Sequence, residues 1–303
     1  MKIQLSEINE LIRNDPKECV YRSDEEYQGK IKDATDRLLR GRARIILLAG
    51  PSSSGKTTTA GMIRRYLQKN GSDALIISMD DFYRDKDDPS YPTDEKGMLD
   101  FEALDALRVD EIKLCLKSIL AGESFYVPRY IFGEGRSVKE AERITLPHNA
   151  FLIMEGLHAL NPVFTEDLDK GAVAKIYISV SSDIYEDDRI LLSGRMIRFI
   201  RRMTRDSIYR ATDVFSTLQR WESVTKGEDR NLYPYKDTAD IKLNTFHLYE
   251  LGLLKPLAQK AINASPRALE GEYINGIISA LEKVEPLDRE LLSQSSLMKE
   301  FVL

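Results

Sequence analysis

Gly50-Pro51-Ser52-Ser53-Ser54-Gly55-Lys56-Thr57 follows the pattern G-x-x-x-x-G-K-[ST], and its flanks restrict what can be built around it. The apolar run Ile45-Ile46-Leu47-Leu48-Ala49 leads into it and a helical stretch from Thr57 to Lys69 leads out. That strand–loop–helix order lets backbone N–H groups wrap round a phosphate, aided by the positive end of the following helix. In such a loop Lys56 reaches the β- and γ-phosphates of ATP and the Thr57 hydroxyl is placed for Mg²⁺. Ser52, Ser53, Ser54 and Thr58 join Gly50 and Gly55 in the candidate nucleotide-binding set.

Similar apolar runs recur at Ala74–Ile77, Phe151–Met154 and Ala174–Ile178, separated by helical stretches at Asp110–Ala121 and Gly194–Asp206. Apolar strands alternating with helices predict an α/β fold with a mainly parallel sheet, built round the phosphate loop. Residues 123–148, with Pro128, Gly133, Gly135 and Pro147, interrupt the alternation and read as a small flap. Residues 1–40 read as a helical extension, in which Ser23 and Glu26 have capping-box spacing and Tyr27, Ile31, Ala34 and Leu38 form one apolar face. The core is expected over 41–245 with an arginine-bearing lid helix near 194–210. Beyond it, 246–303 reads as a helical addition, with Pro256 a kink, and a tail.

Composition removes several function classes. The 44 Lys+Arg and 49 Asp+Glu give a net charge of −5, a poor basis for broad nucleic-acid binding. The longest apolar runs fall far below a membrane span, and Glu7 comes too early for a signal peptide. Two cysteines, Cys19 and Cys115, build no disulfide framework, so a reducing cytoplasmic setting is expected. His148, His158 and His247 read as structural, and N-K-x-D, the usual guanine-reading motif, is missing.

Asp80-Asp81 and Glu155 each follow an apolar run, and strand C-termini in a parallel sheet share the edge that carries the phosphate loop. Phosphoryl transfer needs a carboxylate to take the acceptor proton and oxygen ligands for the metal. Asp80 is therefore assigned as base and metal-shell member and Glu155 as metal ligand, leaving Asp81 to share the site or cap a turn. Arg195, Arg198, Arg201, Arg202 and Arg205 fall on a single helical arc opposite Met196, Phe199, Ile200 and Met203. The arc reads as an anion site; the bland alternative pairs it with Asp183, Glu186, Asp187 and Asp188.

These motifs together resemble the uridine kinase and phosphoribulokinase family of P-loop kinases, in particular bacterial uridine kinase-like nucleoside kinases. The resemblance rests on the 50–58 loop, Ile77-Ser78-Met79-Asp80-Asp81-Phe82-Tyr83, Val127-Pro128-Arg129-Tyr130, Met154-Glu155-Gly156-Leu157-His158-Ala159-Leu160-Asn161 and Arg201-Arg202-Met203-Thr204-Arg205-Asp206. Trp221-Glu222-Ser223-Val224, Lys226-Gly227-Glu228 and Ala239-Asp240-Ile241-Lys242-Leu243-Asn244 are similar to the bacterial subgroup. The resemblance implies that Asp80 receives the proton of a nucleoside 5′-hydroxyl and that Tyr83 and Asp100 contact the ribose. It places Arg202 and Arg205 near the phosphates and acceptor, Arg210 in the lid over ATP, and Tyr130 and Phe132 beside the base. Arg136 is expected to complete the acceptor pocket. Where the family carries an acid and a histidine after the first aromatic, this chain has Ile131 and Glu134-Gly135; Tyr209-Arg210-Ala211 replaces E-R-G, and Arg220 stands for a glutamine. Other hydroxyl acceptors (a sugar phosphate, a polyol, a pantothenate-like compound) and a nucleotide-binding regulator without turnover stay open, as does a homo-oligomeric state.

Overall fold

The computed structural model describes residues 2–302. A short strand β1 (Lys2–Gln4) and helices α1 (Leu5–Asn14) and α2 (Pro16–Arg40) precede β2 (Ile45–Ala49), α3 (Lys56–Lys69) and β3 (Asp73–Ser78). Helix α4 (Val109–Ala121) leads to the strands β4 (Phe125–Ile131) and β5 (Arg136–Ile144), then β6 (Ala150–Gly156) and β7 (Val173–Ser179). A tight hairpin of β8 (Asp183–Glu186) and β9 (Arg189–Leu192) precedes α5 (Gly194–Tyr209), α6 (Val214–Asn231) and β10 (Ile241–Asn244). Helices α7 (Glu250–Asn263), α8 (Glu272–Glu282) and α9 (Lys299–Val302) close the chain.

The central sheet runs β10-β7-β2-β6-β3 with every pairing parallel. Its faces divide the core by the two-residue period of a strand. Ile46, Leu48, Ile153, Ile176 and Ile178 enter the layer shared with α2, α3, α5 and α7, whereas Ile45, Leu47, Leu152, Met154 and Tyr177 enter the layer under α4 and the flap. Registers Leu48↔Glu155 and Ser78↔Glu155 align the ends of β2, β6 and β3, so the loops leaving these strands emerge at one edge. The flap is the antiparallel pair β4–β5, broken by an irregularity between Val127 and Arg129, where Pro128 offers no N–H to a ladder.

Several expectations are corrected. Ser23 does not open a helix; it lies inside α2, whose N-cap is Asp15, accepting the Glu18 N–H at 3.0 Å, with Pro16 at the first helical position. An Asp-Pro start outcompetes an internal capping-box spacing, and the Ser23 hydroxyl instead accepts the Leu248 N–H at 3.1 Å. Tyr27, Ile31, Ala34 and Leu38 are buried as expected. The stretch expected from Asp110 starts one residue earlier, at Val109 after the cap residue Arg108, and Gly122 ends it at φ 74°. Residues 241–244 add an edge strand that was not expected, and the first C-terminal helix, α7, holds Pro256 inside it and runs to Asn263. The acids after Val180 belong to the β8–β9 hairpin, where Glu186 binds Lys283, Asp188 binds Lys2 and Asp183 accepts the Gly194 N–H. Among the described residues no helix is long and apolar enough to cross a membrane.

His247 carries a measurable consequence of this packing. Its Nδ1–H donates to the Thr245 carbonyl at 3.0 Å between the rings of Tyr27 and Tyr249. Burial, and then the Arg201 guanidinium, push its pKa down to about 3. The folded pKa is below the unfolded one, so the unfolded chain binds more protons as pH falls below about 6.5. This group should therefore remove about 1.4 kcal/mol of stability per pH unit below that point. Urea unfolding of native and His247→Gln proteins between pH 7.5 and 5.5 should show that difference in slope; parallel curves would refute it.

Candidate active site

The phosphate loop joins β2 to α3 through two positions that only glycine suits. A Cβ on Gly50 would lie 2.6 Å from the Ile178 carbonyl oxygen, and Gly55 has φ 90°. Ser53 also takes a left-handed conformation, at φ 58°. Lys56 folds back along the loop, donating to the Gly50 and Pro51 carbonyls at 3.0 and 3.3 Å. The Thr57 hydroxyl points to Glu155 Oε1 at 3.4 Å, and Thr58 donates its hydroxyl to Glu300.

The outer side of this loop is gripped by buried ion pairs. Arg198 and Glu228 pair at 2.7 Å, with side chains 2% and 0% exposed. Arg198 donates to the Ser52 carbonyl at 2.9 Å while Glu228 accepts the Ser52 N–H at 2.8 Å, so both backbone groups of one loop residue are fixed. Arg201 pairs with Glu250 at 2.6 Å and donates to the Ser53 carbonyl at 3.3 Å. These two arginines are therefore not members of an open anion face, as the helical arc suggested: the partners lie on α6 and α7, not in the β8–β9 acids. Arg195 is paired as well, with Asp229.

Arg202, Arg205 and Arg210 differ, because all three reach the single carboxylate of Asp206 at 3.4, 3.0 and 3.4 Å. One carboxylate is thus shared among three guanidinium groups, with Glu102 and Asp80 the further acids within electrostatic reach of Arg202 and Arg210. Arg202 also donates to the Ser52 hydroxyl at 2.6 Å. Within the group, burial lowers the pKa of Arg202, and burial with repulsion from Arg205 lowers that of Arg210.

The carboxylates stand at the expected strand ends. Asp80 opens a turn whose N–H is held by the Ser78 hydroxyl at 3.3 Å. Asp80 is exposed to solvent, yet desolvation by the neighbouring protein raises its pKa, against the pull of Lys56 and Arg210. Asp81 is turned to the flap, accepting the Tyr130 N–H at 3.4 Å. Glu155 is buried, and desolvation lifts it to about 7 despite Lys56. Glu102 is a further acid that sequence reasoning missed: burial raises it to about 7, within electrostatic reach of Arg202, Asp80, Glu228 and Lys56. Nothing in the spacing of Asp100-Phe101-Glu102 distinguishes it from a solvated loop acid. Gly227 lets α6 approach it, since a Cβ there would stand 2.2 Å from the Glu102 Cβ.

Among the residues expected to wall an acceptor, the rings of Tyr83 and Tyr130 lie 5.4 Å apart, and those of Tyr130 and Phe132 lie 5.0 Å apart. The Tyr83 hydroxyl is committed to the Phe101 carbonyl at 2.8 Å. Asp100 is buried with both oxygens engaged, one by Arg230 at 2.6 Å and one by the Glu102 N–H at 3.0 Å. Arg136 stands exposed at the flap tip against Asp87, at 3.5 Å. Among the described residues no cluster of three or more His, Cys, Asp or Glu forms a ready metal cage. The hard oxygens of Thr57 and buried Glu155, meeting at 3.4 Å, nevertheless suit Mg²⁺, which takes few protein ligands alongside substrate phosphates.

The arrangement has relatives. A family model described as "Phosphoribulokinase / Uridine kinase family" matches residues 45–249. The uridine kinase of Halobacterium salinarum is 25% identical over 195 residues, 64% of this chain and 76% of that one. The uridine kinase of Chloroflexus aurantiacus is 29% identical over 178 residues, 58% of this chain and 74% of that one. A candidate fructose transport system kinase from Silicibacter sp. TM1040 superposes with a TM-score of 0.51 at 16% identity, covering 70% of this chain and 98% of its own, a likeness of fold.

The buried clamp makes its own prediction. Glu228→Gln leaves Arg198 charged and unpaired in the core, which should cost about 3–5 kcal/mol in denaturant unfolding. Replacing the pair together, Arg198→Met with Glu228→Leu, should cost much less. Equal losses in the single and double variants would show that the charge pair is not what matters there.

Proposed function

The chain belongs to the phosphoribulokinase / uridine kinase family, a phosphotransferase acting on a hydroxyl group, and from that premise we propose that it transfers the γ-phosphate of ATP to the 5′-hydroxyl of a nucleoside. The observation that carries the reading is the meeting of Lys56, Asp80 and Glu155 at one sheet edge, beside three arginines sharing Asp206. Gly50, Ser52, Ser53, Ser54, Gly55, Lys56, Thr57 and Thr58 would cradle the phosphates, with Arg210 closing from the lid.

In the proposed step the acceptor oxygen forms a bond to the γ-phosphorus as the bond to the bridging oxygen breaks, and ADP leaves with that electron pair. Asp80 takes the hydroxyl proton; desolvation that raises its pKa also makes it a stronger base. Lys56, Arg202 and Arg205 stabilise charge on the transferring oxygens. Thr57, Glu155 and Asp80 would hold Mg²⁺, which would supply charge neutralisation to the phosphates of ATP. Tyr83, Tyr130 and Phe132 would wall the acceptor, with Asp100 and Arg136 at its polar edge. A second acceptor class, a polyol or sugar phosphate, has one observation behind it: Asp100 already spends an oxygen on Arg230, which places a cation beside the acceptor hydroxyls.

Mg-ATP at about 100 times its Kd should add roughly 2.7 kcal/mol of stability, and Lys56→Ala should abolish most of the thermal shift; an unchanged shift in that variant would exclude this loop. Asp80→Asn should retain ATP binding while kcat falls by about 10² or more, with Asp81→Asn milder. A dead Asp81→Asn beside an active Asp80→Asn would reverse the base assignment. The acceptor is tested by kcat/KM for uridine, cytidine, adenosine, inosine and their deoxy forms. Ribosides should exceed deoxyribosides, and Asp100→Ala should erase that preference. Inactivity on every riboside would move the protein to the polyol or sugar-phosphate class.

A further inference from the structure

The C-terminal segment, beyond the family-matched span, returns to the phosphate loop. Leu297, Met298, Phe301 and Val302 are buried. Leu297 closes against Gly55, where a Cβ would meet its methyl at 2.9 Å. The Arg201 guanidinium, which holds the Ser53 carbonyl, lies 4.9 Å over the ring of Phe301. Between these two anchors, Glu300 points at the first turn of α3. Its Oε2 accepts the Thr58 hydroxyl at 2.6 Å and the Thr58 backbone N–H at 3.3 Å.

Thr58 is the third residue of α3, so its N–H is among the first-turn donors that have no partner within the helix. Donors in that position, at the mouth of a glycine-rich loop, are those a phosphate chain uses. A carboxylate and a phosphate cannot both occupy them, since each is an anion needing the same two hydrogens. Glu300 is only partly buried, so its side chain can turn to solvent without unpacking Phe301 or Leu297. Its charge also adds to the repulsion that raises Glu155, which withdrawal would relieve.

We propose that Glu300 is an internal competitor of the nucleotide: it holds the Thr58 donors in the ligand-free protein and yields them to phosphate. The proposal rests on the nucleotide-binding reading of the loop and adds that the protein's own C-terminal segment weakens that binding. Adenosine, which has no phosphate, does not compete with it.

Calorimetric titration of Mg-ATP and adenosine into the full native chain, Glu300→Gln and Glu300→Ala tests this. Mg-ATP should bind about tenfold tighter to both variants, the scale of one charge-assisted hydrogen bond at a helix N-terminus, and adenosine affinity should not move. Ligand-free melting curves confirm that the variants are folded, and Glu300→Ala answers the question if Glu300→Gln is not. Unchanged or weaker Mg-ATP binding overturns the proposal, as does an equal gain for adenosine, which would signal general loosening. Mg-ATP binding absent from native and variant proteins alike overturns it together with the nucleotide reading. Binding that is present but equal overturns the competition alone.

Discussion

The phosphate loop owes its shape to charge buried behind it. A glycine-rich turn has little side-chain packing of its own, and its carbonyls and N–H groups would otherwise be fixed by water or ligand. Here Arg198 and Glu228 seize the carbonyl and N–H of Ser52, and Arg201 with Glu250 holds Ser53. Buried ion pairs of this kind recover their desolvation cost only when every donor and acceptor is used, and the loop backbone supplies several of the remaining partners beside Tyr233, Thr245 and the His247 N–H. The dependence runs both ways: the pairs are tolerable because the loop completes them, and the loop is rigid because the pairs require it.

This division of labour explains the electrostatics of the cleft. The arginines on one helix separate into those with carboxylates of their own and the three that share Asp206. Near them are exposed Asp80, half-buried Glu102 and buried Glu155, all with pKa values raised by desolvation. Guanidinium groups sharing one carboxylate thus stand close to acids whose charge is disfavoured. On the proposed reading, a ligand that is anionic toward the arginines and hydroxylated toward the acids would relieve both.

Much of the fold was legible in the sequence because the relevant signals are local. The run at Ile45–Ala49 is a strand with those bounds, and the helix after the loop differs by one residue. Runs buried on both faces announce a parallel sheet, which by topology brings Asp80 and Glu155 to the loop's edge. Less legible were short edge strands such as Ile241–Asn244, whose alternation is brief, and the cap at Asp15, which competed with a false box at Ser23. Helical arithmetic placed the arginines on one arc correctly but could not show that α6 and α7 supply acids to Arg198 and Arg201. Glu102, Glu228 and Glu300 were invisible for the same reason: each gains its role from a contact far along the chain.

Gly227 ties these regions together. Helix α6 presses so close to Glu102 at this point that one added methyl group would collide with it. The next residue, Glu228, grips the phosphate loop, and Arg230, two further on, grips Asp100 on the side proposed for the acceptor. A single helix therefore spans both halves of the cleft, with its standoff set by a missing side chain. It behaves as a calliper: any shift that opens one jaw is transmitted to the other within a single turn, so the spacing between the phosphate loop and Asp100 is inherited from one rigid part.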